Sequence, residues 1–158
     1  FPQAGPVTEY EWIRAAQARG IGVIVGGEMT HPRYLEGDFS NGKSKDYTEI
    51  FRSLGFDRDL TGFLRNTSPD DMYELAARMG VSNFVVPGNK PDRIRHYKQL
   101  IESIGIKPSF YSPGLVAQGG EITKGAEAAG ERFHGIIGRG IYEKGDVKEN
   151  SLALTSKL

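Results

Sequence analysis

The chain has 158 residues with 20 basic and 20 acidic side chains, so no global field favours nucleic acid or an acidic membrane, and an anionic ligand must be held by a local site. The 38% hydrophobic and 25% charged fractions fit a soluble globular domain with a real core, yet the length falls short of a complete eight-fold barrel. The absence of cysteine excludes disulfides, thiol nucleophiles and thiolate metal sites. No apolar run approaches the roughly 20 residues of a membrane span, and Phe1 to Pro6 lacks the charged-then-apolar order of a signal peptide, so a cytoplasmic enzyme is expected.

Residues 1–7 read as a loop with two prolines and a glycine. Thr8 suits an N-cap with Glu9 and Glu11 in the first turn, and Tyr10, Trp12, Ile13, Ala16 and Ala18 keep helical spacing up to a C-cap at Gly20. The apolar, β-branched run 21–25 predicts a strand buried on both faces, which ends in Gly26, Gly27, Glu28, Met29, Thr30, His31 and Pro32. Residues 33–68 contain no strand signal. Residues 34–45 are polar and loop-like, and 46–54 and 58–64 each suit a short amphipathic helix. Connections of this length after a strand are either functional lids or decorations without a catalytic part. Both readings stay open here.

Ser68 or Asp70 caps the next helix, with Pro69 in its first turn, Met72, Leu75, Ala76 and Met79 on its apolar face, and Gly80 at its end. A strand follows at 83–86, then a helix at 91–104 carrying Ile94, Tyr97, Leu100 and Ile101 on one face. A third strand is predicted at 110–112, an alanine-rich helix at 122–130, a fourth strand at 133–138 and a last helix within 147–158. Strand and helix alternate to the end, as in parallel βα units, and four strands are half of eight.

The last two strands stop in glycine-rich loops. Ser112, Pro113, Gly114, Leu115, Val116, Ala117, Gln118, Gly119 and Gly120 follow the third, and Gly138, Arg139 and Gly140 follow the fourth. Glycines let backbone N–H groups approach a ligand, and an amide plus one guanidinium can hold a phosphate. Loops at the end of a parallel barrel are where such sites occur. By themselves, these residues fit tight turns and a surface cation equally well.

The run SPGLVAQGG followed by IIGRGIY resembles the closing third of the orotidine 5′-phosphate decarboxylase family, and EMTHP at 28–32 resembles a further motif of that family, all in the family's order. The nine-residue SPG-to-GG stretch is the specific part; a bare GR after a strand would be weak. The resemblance implies the C-terminal half of a (β/α)8 barrel, with four parallel strands and their helices and with residues 33–68 as a helical insertion after the first strand. It implies that Gln118 and Arg139 hydrogen-bond the nucleotide phosphate, that Gly119, Gly120 and Gly138 give backbone space or N–H groups, and that Pro113 opens the loop bordering the pyrimidine. Thr30 stands where the family has serine; its hydroxyl and backbone N–H would read the pyrimidine amide edge, with an added methyl to accommodate.

The family's catalytic array of alternating lysines and aspartates has no match in this chain. Asp38, Lys43, Lys45 and Asp46 lie in a polar stretch rather than after an apolar strand and read as a solvated charge run. Gly88, Asn89 and Lys90 are too short a run for a phosphate-binding P-loop. His31 reads as structural, His96 beside Arg93 and Arg95 as a solvated helix face, and His134 as a packing or capping residue; their scatter does not suggest zinc. No catalytic residue is therefore assigned. The resemblance implies conversion of orotidine 5′-phosphate to uridine 5′-phosphate (UMP) and CO2 without metal or organic cofactor, with a complementary half or parent chain supplying the array and a homodimer of the complete barrel. A rival reading is a non-catalytic nucleotide-binding half barrel that self-associates. A second rival is a related sugar-phosphate decarboxylase or aldolase, against which SPGLVAQGG with GRGIY favours the pyrimidine nucleotide.

Overall fold

A computed structural model describes residues 5–30, 52–55, 68–116, 118–143 and 145–156. Four strands, β1 (Ile24–Gly26), β2 (Asn83–Val85), β3 (Ser109–Ser112) and β4 (Phe133–Gly135), form one parallel sheet in the order β1-β2-β3-β4. Helix α1 (Gly5–Gln17) precedes β1, and α2 (Ser68–Arg78) leads into β2. Helix α3 (Pro91–Ser103) joins β2 to β3, α4 (Ile122–Ala129) joins β3 to β4, and α5 (Arg139–Tyr142) and α6 (Val147–Thr155) follow. Neighbouring helices pack in chain order, α1 on α2, α2 on α3 and α3 on α4. The architecture is four βα units of a (β/α)8 barrel, half of its ring, as the alternating pattern predicts.

Strand register decides which residues form the core. Val25 pairs with Phe84, Phe84 with Phe110 and Phe110 with Phe133, so one row of apolar side chains crosses the sheet on the helix-covered face. This row packs against Ile13 of α1, Tyr73, Ala76 and Ala77 of α2, Ile94, Tyr97 and Ile101 of α3, and Ala128 and Ala129 of α4. Phe84 and Phe110 are fully buried, and burial of such a side chain contributes about 1.5–3 kcal/mol. Tyr73 ties the layers together: its ring meets Phe84 edge-on, and its hydroxyl donates to Val85 O at 2.7 Å.

The opposite face of the sheet is the inner face of the half ring. It carries Ile24, Asn83, Val85, Tyr111 and His134 by the same alternation. Here β1 departs from the expected strand buried on both faces: Val25 is buried, but Ile24 is 54% exposed. The inner face of a barrel strand is covered only when the ring is complete. His134 packs, as predicted, by stacking on Tyr111 with ring centroids 4.6 Å apart.

Several boundaries also move. Helix α1 begins at Gly5 rather than after Thr8, because Pro6 fits a first helical turn; Glu9 and Glu11 then fall beyond that turn. Strand β4 stops at Gly135, although the Ile136 N–H still donates to Ser112 O at 3.0 Å. Arg139 opens a short helix instead of continuing a loop. Helix α6 is capped by Asp146, whose carboxylate accepts from the Lys148 and Glu149 N–H groups at 2.9 and 3.0 Å. Of the stretch 33–68, only residues 52–55 and Ser68 are described: a helical end at Arg52 and Ser53, then a turn in which Leu54 packs against Leu75. The remainder of that reading, and His31, lie outside the described residues.

Candidate functional site

The C-terminal ends of the four strands point the same way, so the loops after them gather at one end of the sheet. The loop after β3 folds on itself. The Val116 N–H donates to Gly120 O at 2.8 Å and the Gly120 N–H to Gly114 O at 3.2 Å. Val116 takes φ 61°, a left-handed conformation that is unusual for a β-branched residue. The loop after β2 meets it backbone to backbone, with the Gly88 N–H donating to Pro113 O at 2.7 Å. A Cβ on Gly120 would lie 2.6 Å from Gly114 O and 2.9 Å from Gly88 O, so this crossing admits glycine alone.

The residues expected to bind substrate occupy this end of the sheet. Gly114 sits between two of them: a Cβ there would lie 2.5 Å from Thr30 Cγ2 and 3.0 Å from Gln118 Oε1. The loops after β1 and β3 therefore bring Thr30 and Gln118 together, beside Pro113. A Cβ on Gly140 would lie 3.0 Å from Val116 Cγ1, so the start of α5, with Gly138 and Arg139, abuts the same loop. Gln118 and Arg139 are exposed, and neither side chain is engaged by a described residue. Gly119 is exposed and Gly120 buried. One amide, one guanidinium and open glycine backbone can together satisfy several oxygens of a phosphate.

Sequence reasoning missed a second group at the same end. Glu28, at the end of β1, is 4% exposed and charged. Lys90 Nζ lies 2.6 Å from its Oε1 and Arg93 Nε 2.9 Å from its Oε2, and the Tyr97 hydroxyl donates to Oε2. The Glu28 N–H donates to the Tyr73 hydroxyl at 3.1 Å. Burial alone would raise the Glu28 pKa, but hydrogen bonds from Lys90, Tyr97 and Arg93 outweigh it and hold the carboxyl below the usual carboxylate range. Burial and the Glu28 carboxylate push the Tyr97 hydroxyl up, so it stays a donor. Arg93, beside the solvated face on which His96 was expected, thus turns towards Glu28. His96 remains 44% exposed at its side chain and pairs with Asp70 at 2.7 Å. A usable signal exists: Lys90, Arg93 and Tyr97 are spaced three and four apart on one helical face.

Asn89 Nδ2 donates to Thr30 O at 3.2 Å, and Lys90 Nζ donates to Met29 O at 3.1 Å. Among the described residues, no group of three or more His, Asp or Glu side chains is placed to hold a metal ion. No described helix is long and apolar enough to cross a membrane.

Parallel βα units that end in glycine-rich loops place the chain in the (β/α)8 barrel class, of which it forms four units. Within that class the chain resembles orotidine 5′-phosphate decarboxylase. It is 32% identical over 108 residues to the orotidine 5′-phosphate decarboxylase of Methanococcus maripaludis strain C6, covering 68% of this chain and 48% of that protein. It is 27% identical over 146 residues to the enzyme of that name from Methanosarcina mazei, covering 92% of this chain and 52% of that one. Among solved structures, the orotidine 5′-monophosphate decarboxylase of Methanocaldococcus jannaschii complexed with the inhibitor BMP superposes with a TM-score of 0.62 at 23% identity, over 92% of this chain and 53% of that chain. The Sulfolobus solfataricus structure of that name gives 0.55 at 20% identity. No family model matches the chain. The chain spans about half the length of the curated relatives it matches.

Proposed function

We propose that this chain supplies the phosphate and pyrimidine subsites of a cytoplasmic orotidine 5′-phosphate decarboxylase of pyrimidine biosynthesis, and that a complementary barrel half carries the lysine and aspartate array. The observation that carries the reading is the meeting of Thr30 with Gly114 and Gln118 at the strand ends, within stretches that resemble that family. Gln118 and Arg139 donate to the 5′-phosphate, with Gly119, Gly120 and Gly138 leaving it room. The Thr30 hydroxyl and backbone N–H face the amide edge of the base, and Pro113 borders the ring.

In the reaction, the bond from C6 of the base to its carboxylate breaks. CO2 leaves, the electron pair stays on C6, and a proton then takes its place. The charge that develops on C6 calls for a preorganised cationic site, which in this reading belongs to the complementary half. The half described here acts at a distance. Binding energy from the phosphate holds the base where the array acts and so lowers the barrier as well as KM.

The test is calorimetric titration of the protein with UMP. Arg139→Ala removes a charge-assisted contact that contributes roughly 1.5–3 kcal/mol, so affinity should fall about tenfold to a hundredfold. In an active assembly the same variant should raise KM and lower kcat/KM. An unchanged kcat/KM would contradict the assignment of Arg139. UMP binding without turnover in every assembly would favour a non-catalytic half barrel that self-associates.

A further inference from the structure

We propose that Asn89 and Lys90, braced by Glu28 and Arg93, are positioning residues that hold the Thr30 main chain in place for recognition of the pyrimidine. This rests on the reading of Thr30 as the residue that faces the base.

Thr30 lies four residues past the end of β1, beyond the reach of the sheet's hydrogen bonds. The loop after β2 replaces them. The Asn89 amide donates to Thr30 O and the Lys90 ammonium to Met29 O, so two successive carbonyls are tied to one neighbouring loop. On its other side Thr30 is close to Gly114, where even a Cβ would clash with its methyl. The residue is thus held between the loops after β2 and β3.

The ammonium that makes one of these ties is itself held. Lys90 is bound to Glu28 at 2.6 Å, and Glu28 is bound in turn by Arg93, which also reaches Asp70 at 3.3 Å. A lysine has three donors on a flexible stem, and pairing with a buried carboxylate removes most of that freedom. Arg93 further lies over the Tyr97 ring, 4.7 Å from its centroid. The Glu28 cluster therefore fixes the lysine rather than facing the ligand.

Asn89 adds a separate indication. Its Nδ2 holds Thr30 O, while its Oδ1 is buried with no hydrogen-bond partner. A buried orphan acceptor is unfavourable. An apolar side chain would avoid it, so the amide serves the loop rather than stability.

The experiment compares UMP with ribose 5-phosphate, which shares the phosphate and sugar but lacks the base, on the protein in its native assembly. The readout is the ratio of the two affinities by calorimetry, with urea midpoints measured alongside. Wild type should prefer UMP. Asn89→Ala and Lys90→Met should each lower that preference about tenfold, the effect of losing one positioned hydrogen bond, while ribose 5-phosphate affinity changes less than about twofold. Thr30→Val should lower the preference in the same way, and Asn89→Ala added to it should lower it again, because the Thr30 backbone N–H still faces the base. Variants that keep the wild-type preference, or that weaken both ligands equally, would overturn the proposal. A wild type with no preference for UMP would instead remove Thr30 as the base reader and the proposal with it.

Discussion

Glu9 shows how one residue can carry a pH dependence that its neighbours in sequence conceal. Both of its carboxyl oxygens are buried and lack a hydrogen-bond partner. They lie at a cavity of about 320 Å³ lined by Trp12, Ile13, Ile24, Val25 and Met72. Burial pushes the pKa up from 4.5 to about 8. Between those values the folded chain keeps a proton that the unfolded chain has released, so stability falls as pH rises through this window and levels off above about 8. Glu28 has the opposite sign: its depressed pKa gives stability that is present above the ordinary carboxylate value and lost as pH falls through the folded one. The urea midpoint of the chain alone should therefore drop from pH 5 to pH 8, and Glu9→Gln should flatten that slope. A slope unchanged in Glu9→Gln would assign it to another group. Reading Glu9 as a first-turn acid hid this, although it stands four and seven residues before Ile13 and Ala16, on the helical face that turns inward.

At the scale of the elements, the site depends on loops that cross within van der Waals contact. Gly120 is the point least able to yield, since both atoms that a Cβ would strike within 3 Å, Gly114 O and Gly88 O, are backbone. Gly120→Ala should therefore displace the loop after β3 and weaken UMP binding more than tenfold, whereas the helix-side core keeps its packing. This expectation is checked by calorimetry together with near-ultraviolet circular dichroism. Wild-type affinity in Gly120→Ala would show that the crossing does not shape the site. These loops were legible in advance because glycine declares a close approach. In the Glu28 cluster only the spacing of Lys90, Arg93 and Tyr97 was legible, since Glu28 lies 62, 65 and 69 residues from them. Such pairing follows from topology rather than from local pattern. The strands were predicted to within a few residues at each end, because their apolar runs were bounded by glycine and proline.

The whole molecule presents an open half ring. In the order β1-β2-β3-β4 the first and last strands each leave one edge without a partner strand among the described residues. Residues 21–27 contain no charged side chain or proline that would protect an edge, and Ile21 and Ile24 are 57% and 54% exposed. Ile136, beyond β4, is 49% exposed. A second set of four strands would cover both edges and the inner face at once. The alternation of strand and helix made this half ring readable from sequence, with its two open edges and exposed inner face, while the placement of Ile24 on that face followed from the strand register.

The complementary half is what the proposed decarboxylase most requires. Native mass spectrometry of the protein from its natural source, followed by denaturing masses of each component, tests it directly. The account predicts either a second polypeptide bearing the lysine and aspartate array or a parent chain about twice as long. The 17.4 kDa chain found alone or paired only with itself would contradict it. That result would favour the alternative of a non-catalytic half barrel that self-associates.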